Sequence, residues 1–353
     1  MNSIPITKDD SALVKGTALI IMLFHHLFAF DWSAPLFTTW IPGMDDVVVI
    51  LANYFQIVVG VFLFLSGFGL FYSRKGVSAC IKRIASLYVR LWIVIFFVSF
   101  PLMLLAGTFS FNLPELLKNM VGLGVTYCQN CWFVTLYAEI LVLLTLIWPL
   151  LERTNWVADI LITVCCVLAG VVLSFWNRSS VSNRILSICL SQLRQLLLYF
   201  PNFLIGLYAA KYSLLGIAVR AFQPKGKIFS LLSGIFLFAG SVLIYWLAHP
   251  YIPLLCQDYY LVPLFVLAML LIFKLPGVKP VSRVLQWLGT TSLWFWLIHG
   301  ILQANFTDLI YFPRYPVLIL LWLTLLQVPV VVLIQLVEKF IQKKILKKNR
   351  KEA

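Results

Sequence analysis

The sequence predicts an all-α protein, a polytopic membrane helix bundle with about ten transmembrane helices and both termini in the cytoplasm. Three observations lead to this fold class. First, 62% of the 353 residues are hydrophobic and only 11% are charged, whereas soluble globular proteins average about 25% charged residues. Second, about ten apolar runs are each long enough to cross a bilayer. Third, the basic residues are unevenly divided between alternate connections, as in membrane proteins of fixed orientation.

The apolar runs define the predicted elements. The first is expected to stay in the protein as a helix, because it has no small-residue cleavage site of the kind that ends a signal peptide. The sixth is the weakest, since Gln192, Arg194 and Gln195 interrupt it. We expect residues 1–353 to form a single transmembrane domain that ends in a basic cytoplasmic tail at 339–353. In chain order the runs are 12–30, 47–73, 84–107, 131–151, 156–176, 185–210, 228–248, 258–274, 284–304 and 317–338.

The distribution of charge sets the predicted orientation. Most lysines and arginines fall on one side of the predicted spans, and the other side holds only Lys118, Arg178, Arg184 and Arg314. By the positive-inside rule the basic side is cytoplasmic. The net charge of +14 therefore reflects topology and contact with membrane lipids. Nucleic acid is not an expected partner, because the cations are not gathered on a soluble domain.

The seven cysteines point to no metal site. Most lie in or beside apolar runs, where they are expected to be small core residues. Cys128-Gln-Asn-Cys131 has a spacing typical of redox or metal motifs, but no second pair and no histidine cluster accompanies it. A local disulfide between Cys128 and Cys131 stays open, if that loop faces an oxidising compartment.

The most informative motif is Lys15 followed eleven residues later by His26, inside the first apolar run. Ionisable residues within a membrane span usually face a bundle interior or a pathway. Eleven residues make about three helical turns, so both side chains point towards a similar face, roughly 16 Å apart along the axis. A cation near the inner surface and a deeper imidazole suit a site that binds an anionic donor and carries out proton chemistry at its far end.

Other polar residues reach neighbouring depths from separate spans. The predicted orientation places His26 and His299 in the outer half of the membrane, Glu139 at mid-depth and Trp132 near the outer face. A lone membrane histidine is often only an interhelical hydrogen-bond partner, and Trp132 could belong to an interfacial belt. A carboxylate inside a span needs a partner or a proton, and Arg194 is one candidate. The convergence predicts a buried polar site. His25 points about 100° away from His26, so we expect only one of the two to face it.

Small and basic residues of the second and third runs allow two interpretations each. Ser66 and Gly67 favour close helix packing, or they line a path. Lys82 and Arg83 suit cytoplasmic anchoring. Arg90 lies deeper in its run, where anchoring explains it less well and contact with phosphates explains it better.

At these residues the chain resembles the acyltransferase 3 family of integral membrane acyltransferases over nearly its whole length. Each motif is weak alone, and their order and spacing make the resemblance specific. Two features depart from the family pattern: a lysine stands where arginine is commoner, and no extracellular hydrolase-like domain is appended. The motifs are Lys15 to His26, Ser66-Gly67-Phe68, Lys82-Arg83 to Arg90, Trp132-Phe133, and Gly289, Ser292 and His299.

The resemblance implies transfer of an acyl group, commonly acetyl, from a cytoplasmic acyl-CoA to a hydroxyl of a carbohydrate at or beyond the membrane. Family acceptors include peptidoglycan, lipopolysaccharide, exopolysaccharides, and antibiotic or Nod-factor sugars. It also implies a multi-pass protein of a bacterial plasma (inner) membrane, with an extracytoplasmic partner as one way of completing the transfer.

Each candidate residue then has an expected role. His26 acts as general base on the sugar hydroxyl or accepts the acyl group transiently, and His299 or Glu139 orients it or takes part in proton transfer. Trp132 and His25 are expected to contact the acceptor. Ser66 is expected to line the donor path. The phosphates of the donor are assigned to Lys15, Lys82, Arg83 and Arg90.

Two other functions remain open on composition. Ten spans with buried His, Glu and Arg also suit a proton-coupled transporter or flippase of a glycolipid or small anion. The Gly- or Pro-broken helices in matching halves that such a carrier would have are not clear in this sequence. A different class of acyltransferase, with one membrane histidine and acting on protein or lipid, is the third interpretation. The two-histidine pattern and the motif from Lys15 to His26 favour acyl transfer to a carbohydrate over both alternatives.

Overall fold

A computed structural model of the chain describes residues 6–73, 76–175, 184–222, 226–252, 254–273 and 279–349, apart from the side chains of 184, 185, 254–256, 279 and 339–349. Within these ranges the protein is all-helical. Arg178, the Arg184 side chain, all side chains of the predicted basic tail and the backbone of residues 350–353 lie outside the described part. The α-helices are α1 (Lys8–Phe28), α2 (Asp45–Tyr54), α3 (Val58–Phe71), α4 (Val77–Val94), α5 (Phe100–Leu105), α6 (Leu113–Met120), α7 (Trp132–Leu151), α8 (Trp156–Ser174), α9 (Arg184–Lys211), α10 (Leu214–Phe222), α11 (Lys227–Ala248), α12 (Leu254–Phe273), α13 (Lys279–Asn305), α14 (Thr307–Tyr311) and α15 (Pro316–Asn349).

The protein is a polytopic membrane bundle, as predicted. Among the described residues, seven helical stretches are long and apolar enough to span a membrane, and α9 with α10 makes an eighth if this pair, bent by 68°, is one span. The other two of the ten predicted runs also form helices. One is the shorter apolar stretch Gln257–Phe273 of α12, and the other is α13, which carries more polar residues.

The chain divides into two compact units. The first unit comprises Met1–Ala29, Val47–Ala85 and Thr135–Thr290, and the second comprises Phe30–Asp46, Ser86–Val134 and Thr291–Ala353. The first contains α1, α3 and α8–α12 in full. The second contains α5, α6, α14 and α15. Helices α2, α4, α7 and α13 each contribute one part to either unit.

Glycines set the closest helix crossing of α1 in the first unit. A Cβ atom at Gly16 would overlap with the carbonyl oxygen of Leu285, and one at Gly289 would overlap with that of Ala12. The absence of both side chains therefore brings the backbones of α1 and the first part of α13 into direct contact. Small residues allow this kind of close approach in membrane bundles.

Helix α3 crosses α9 in the same manner. A Cβ at Gly67 would overlap with the Phe203 carbonyl oxygen, and one at Gly206 would overlap with that of Phe64. Nearly every residue of α3 is buried, which makes it a central helix of the first unit. The packing interpretation of Gly67 is therefore confirmed. Helix α9 continues through Pro201 and Gly206 and breaks only afterwards, at Ser213, whose φ is 55°.

Polar contacts stabilise the loop between α6 and α7 in the second unit. The buried Asn119 accepts hydrogen bonds from the backbone N–H groups of Tyr127 and Cys128, both at 3.0 Å, and donates to the Glu115 carbonyl. The Tyr127 hydroxyl donates to the Ser110 carbonyl at 2.7 Å. Buried backbone groups need such partners where no regular ladder satisfies them. This loop is therefore held in place although it has no secondary structure.

Candidate active site

Helix α1 positions three of the predicted site residues on one continuous element. A capping box starts it: the Thr7 hydroxyl accepts from the Asp10 N–H at 3.1 Å, and the Asp10 carboxylate accepts from the Thr7 N–H at 2.9 Å. The helix continues to Phe28 without interruption. His26 thus lies eleven helical positions after Lys15, roughly 16 Å along the axis, as the sequence predicted.

The two histidines at the end of α1 are adjacent and held differently. The Nδ1 atom of His25 lies 2.8 Å from the Ala52 carbonyl oxygen, so Nδ1 carries a proton and donates, since a carbonyl only accepts. The His26 ring lies 5.1 Å from the His25 ring, nearly perpendicular to it. A carbonyl that fixes one ring nitrogen also fixes the orientation of the other, which is how proteins prepare an imidazole for proton transfer.

Lys15 is a cation without a protein counter-ion. It is partly buried in α1, and in the part of the chain that the structure describes its ammonium forms no ion pair and no hydrogen bond. A desolvated charge without a partner is costly. The expected binding of an anionic ligand at Lys15 stays a prediction. The neighbouring residue Gly16 lies at the crossing of α1 with α13, so the backbone that carries Lys15 is closely packed.

A second cluster joins α3, α4 and α7. The Tyr137 hydroxyl is hydrogen-bonded to Ser66, and the charge of Arg83 acts on the same hydroxyl. Arg83 also donates from Nη2 to the Ser73 hydroxyl at 3.0 Å. Two of the predicted donor-binding residues, Ser66 and Arg83, are thus brought together through Tyr137, which sequence analysis did not single out.

Arg83 borders a small cavity of about 20 Å³, lined mainly by Leu70, Leu141, Leu144 and Trp148. This volume holds about one water molecule. The guanidinium therefore faces both a polar neighbour and an apolar recess.

The other two predicted phosphate ligands differ from each other. Lys82 is exposed, and its ammonium has no partner among the described residues. Arg90 lies in the second unit, where its Nε and Nη2 both lie 3.1 Å from the Glu338 carboxylate and its guanidinium lies 5.8 Å from the centre of the Trp294 ring. Arg90 thus has a carboxylate partner, and the assignment of Lys15, Lys82 and Arg83 to the donor phosphates stays a prediction.

Glu139 lies on α7 in the first unit, and its Oε2 atom is buried without a hydrogen-bond partner. Arg194 on α9 is similarly placed, with Nε buried and unpartnered. The two do not form an ion pair in the described structure, so the partner considered from the sequence is wrong. An unpaired carboxylate in an apolar environment favours the protonated form or a bound cation, and the expected role of Glu139 in proton transfer stays a prediction.

His299 belongs to the second unit and is completely buried. Its Nδ1 donates to the Phe295 carbonyl at 3.2 Å, and its Nε2 lies 3.2 Å from the Asn130 side-chain nitrogen. Both ring nitrogens are therefore engaged, which describes a neutral imidazole with its proton on Nδ1. The backbone carbonyl of Asn130 in turn accepts from the Trp296 indole N–H, at 3.1 Å. The side-chain amide of Asn130 can approach α13 closely because Gly300 has no side chain: a Cβ at Gly300 would lie 2.5 Å from Nδ2 of Asn130.

Trp132 and the cysteine motif flank this site. Trp132 is partly buried and its ring packs edge-on against Phe133, whose ring centre lies 4.9 Å from that of Trp296.

The cysteine motif contains no disulfide. Cys128 and Cys131 are buried free thiols in the structure, and Cys131 donates to the Gly124 carbonyl at 2.7 Å. A hydrogen bond with Cys131, together with burial, raises the pKa of the Cys128 thiol well above its ordinary value. Cys128 is therefore a protonated packing residue at neutral pH.

The fold and these residues define a class: a polytopic helical membrane protein with ionisable groups placed within its spans. The chain belongs to the acyltransferase 3 family, because residues 10–337 match that family's model, described as an acyltransferase domain. It is accordingly a membrane acyltransferase. No curated protein and no solved structure matched the chain in the corresponding searches.

Proposed function

We propose that this protein transfers an acyl group, expected to be acetyl, from a cytoplasmic acyl-CoA to a hydroxyl of a cell-surface or lipid-linked carbohydrate. The observation that carries the proposal is helix α1, which holds an ammonium without a counter-ion and two histidines on one unbroken element. Family membership supplies the reaction class. The donor, the acceptor and the sidedness are the proposed parts.

Lys15, Lys82 and Arg83 would neutralise the donor phosphates in this scheme. Charge-assisted hydrogen bonds from lysine and arginine are the strongest phosphate contacts that side chains make. Ser66 and Tyr137 would line the path next to Arg83. Arg90 acts as a positioning residue, because its guanidinium already binds Glu338.

The chemical step needs one base. His26 takes the proton from the acceptor hydroxyl as its oxygen attacks the thioester carbonyl; the acyl–oxygen bond forms, the acyl–sulfur bond breaks, and the proton passes to the departing CoA thiolate. A general base contributes about 10²–10⁴-fold in rate. His25, fixed by the Ala52 carbonyl, contacts the acceptor, and Trp132 provides an aromatic surface for it. In an alternative sequence of steps, His26 carries the acyl group between donor and acceptor.

The test uses purified full-length protein in liposomes with radiolabelled acetyl-CoA and glycan extracted from the source membranes. Free CoA and labelled glycan are measured separately. We expect label on the glycan with the wild type and a loss of about 10²–10⁴-fold in His26→Ala. His249→Ala is the matched control, since His249 is an exposed histidine at the end of α11.

Two results would contradict the proposal. Near-normal transfer by His26→Ala would remove the assigned base. Movement of unlabelled glycan or anion across the liposome, without CoA release, would identify a carrier. Mass spectrometry of surface glycans from cells with and without the protein would identify the acceptor.

A further inference from the structure

A cleft of about 490 Å³ lies in the second unit, between the segment that precedes α2 and the segment around α14. Binding sites for small molecules typically have volumes of about 300–1,000 Å³. Its lining includes Phe37, Thr38, Asp308, Tyr311, Phe312 and Arg314. The positive-inside rule predicts that both segments lie on the outer face. No residue that we assign to the donor lines it.

The cleft is built by main-chain contacts that hold one residue in an uncommon conformation. Arg314 has a φ of 63°, in the left-handed region that non-glycine residues rarely adopt. Its N–H donates to the Tyr311 carbonyl and its carbonyl accepts from the Thr38 N–H, both at 2.9 Å. Strained residues that persist in this manner cluster at ligand-binding sites.

Two opposite charges face this space without protein partners. In the described part of the chain, neither the Asp308 carboxylate nor the Arg314 guanidinium makes a hydrogen bond or an ion pair, and both residues are exposed. A carboxylate accepts up to about four hydrogen bonds, and a guanidinium offers five donors. A ligand rich in hydroxyl groups, which both donate and accept, satisfies both groups at once.

Aromatic rings surround the charges. Phe37, Tyr311 and Phe312 line the cleft, and Trp40 stacks on Tyr315 beside it, with ring centres 4.9 Å apart and planes 20° apart. Trp40 is 60% exposed and Phe312 is 79% exposed. The face of an aromatic ring carries partial negative charge and attracts the C–H groups of an apolar face. Together with the hydroxyl-binding charges, these rings have the chemistry of a sugar-binding surface.

Tyr311 connects the lining of the cleft to α13. The Tyr311 hydroxyl lies 3.5 Å from the Gln303 side-chain nitrogen, and Gln303 lies one helical turn after His299 on the same face. Burial raises the pKa of Tyr311, so its hydroxyl stays protonated and can donate a hydrogen bond.

We propose that this cleft binds the acceptor carbohydrate, with one or two sugar rings against Phe312 and their hydroxyl groups on Asp308 and Arg314. The inference rests on the proposed function, since it assigns the acceptor's place. An alternative occupant is the lipid headgroup region, because exposed Trp and Tyr residues are common at membrane interfaces. The pair of unpartnered opposite charges favours a neutral polyhydroxyl ligand over an anionic headgroup.

The test measures glycan binding apart from catalysis. Full-length protein in phosphatidylcholine nanodiscs is titrated with chitotriose, cellotriose and maltotriose, and saturation-transfer NMR reads contact with the sugar ring hydrogens. We expect binding by the wild type, and at least tenfold weaker binding by Asp308→Asn and by Arg314→Asn. Asparagine tolerates the left-handed conformation, so the second variant removes the charge and keeps the backbone. Asp45→Asn, an exposed acid at the start of α2, is the matched control and should bind as the wild type does.

The proposal is overturned if the wild type binds none of the three glycans, or if both cleft variants bind as the wild type does. It is also overturned if Asp308→Asn and Arg314→Asn leave glycan binding unchanged and alter only the change in tryptophan fluorescence that occurs in phosphatidylglycerol nanodiscs. That result would indicate a site for lipid headgroups. Acetyl-CoA consumption separates this outcome from the proposed function. Glycan binding without CoA release would contradict acyl transfer but support the cleft as a glycan site. Acyl transfer that is the same in the wild type and in both cleft variants would support the proposed function but contradict the role of the cleft.

Discussion

The two units hold their histidines by different means. In the first unit, glycine crossings at Gly16 and Gly289 fix α1, and His25 is bonded through Nδ1 to the Ala52 carbonyl. In the second unit, hydrogen bonds from Asn130 and to the Phe295 carbonyl engage both ring nitrogens of His299.

The difference indicates a division of roles. The close packing of α1 in the first unit comes from glycines that lack side chains at the crossing with α13, and its Lys15 forms no hydrogen bond or ion pair with the described residues. In the second unit the polar groups satisfy one another, and His299 is part of the support. We therefore propose a chemical role for the α1 histidines and, within the second unit, a positioning role for His299.

The largest expected effect comes from wedging the α1 crossing. Gly16→Val or Gly289→Val places atoms on a backbone carbonyl that cannot move aside, so we expect a loss of more than about 3 kcal/mol in stability and of most folded protein, the upper end of overpacking costs. Thermal unfolding of the detergent-solubilised protein measures this. Gly240→Ala is the control: nothing lies within 4 Å of its Cβ, so stability should hold or rise by about 0.5–1 kcal/mol. Folding of both valine variants at wild-type yield would contradict the packing argument.

His299→Phe should act mainly on stability. It leaves the buried Asn130 amide without its acceptor, which costs about 1–3 kcal/mol. Gly300→Ala, which displaces the same amide, should give a similar change, whereas His26→Ala should lower turnover with little change in unfolding temperature. Unfolding and turnover are measured on the same preparations. If His299→Phe is as stable as the wild type but inactive, His299 is a chemical group and the assignment of roles fails.

Lys15→Gln should weaken donor binding. Loss of a charge-assisted contact worth about 1.5–3 kcal/mol raises the KM for acetyl-CoA by roughly 10–100-fold, with little change in kcat. Steady-state release of CoA measures both constants. Lys8→Gln is the matched control, because Lys8 is exposed in the first turn of the same helix. An unchanged KM for Lys15→Gln would end its role in donor binding.

The smallest effect is expected for Arg90→Gln. Its ion pair with Glu338 is partly exposed, with 33% and 19% of the two side chains accessible, and pairs of this kind contribute about 0–1 kcal/mol. We expect the KM for acetyl-CoA to change less than about threefold, because the guanidinium is already neutralised. A tenfold rise would show that Arg90 binds the donor directly, as expected from the sequence.

The fold could be predicted because the length and hydrophobicity of a membrane span can be read from one continuous stretch of sequence. Each of the ten predicted runs contains helix, and the weak sixth run continues through Pro201 and Gly206. Its break at Ser213 was not predicted. The left-handed conformation of Ser213 depends on the loop and the helices packed around it, which no local sequence pattern specifies.

The site could be predicted only along single helices. The Lys15 to His26 spacing depends on helix geometry alone, and the structure has it as predicted. Contacts between helices could not be derived: Glu139 and Arg194 do not pair, while Tyr137 and Asn130 acquire partners from distant segments. One signal was available, because Gly300 directly follows His299 and a glycine beside a buried polar residue often marks a close approach.

The link between Thr38 and Arg314 uses only main-chain atoms, so the side chain at position 38 can change while the contact is kept. Position 314 is more restricted, because its φ of 63° favours glycine and asparagine among replacements. If the cleft binds the acceptor as we propose, related sequences can exchange the other side chains of both loops, and with them the glycan that is recognised, while this main-chain link stays in place.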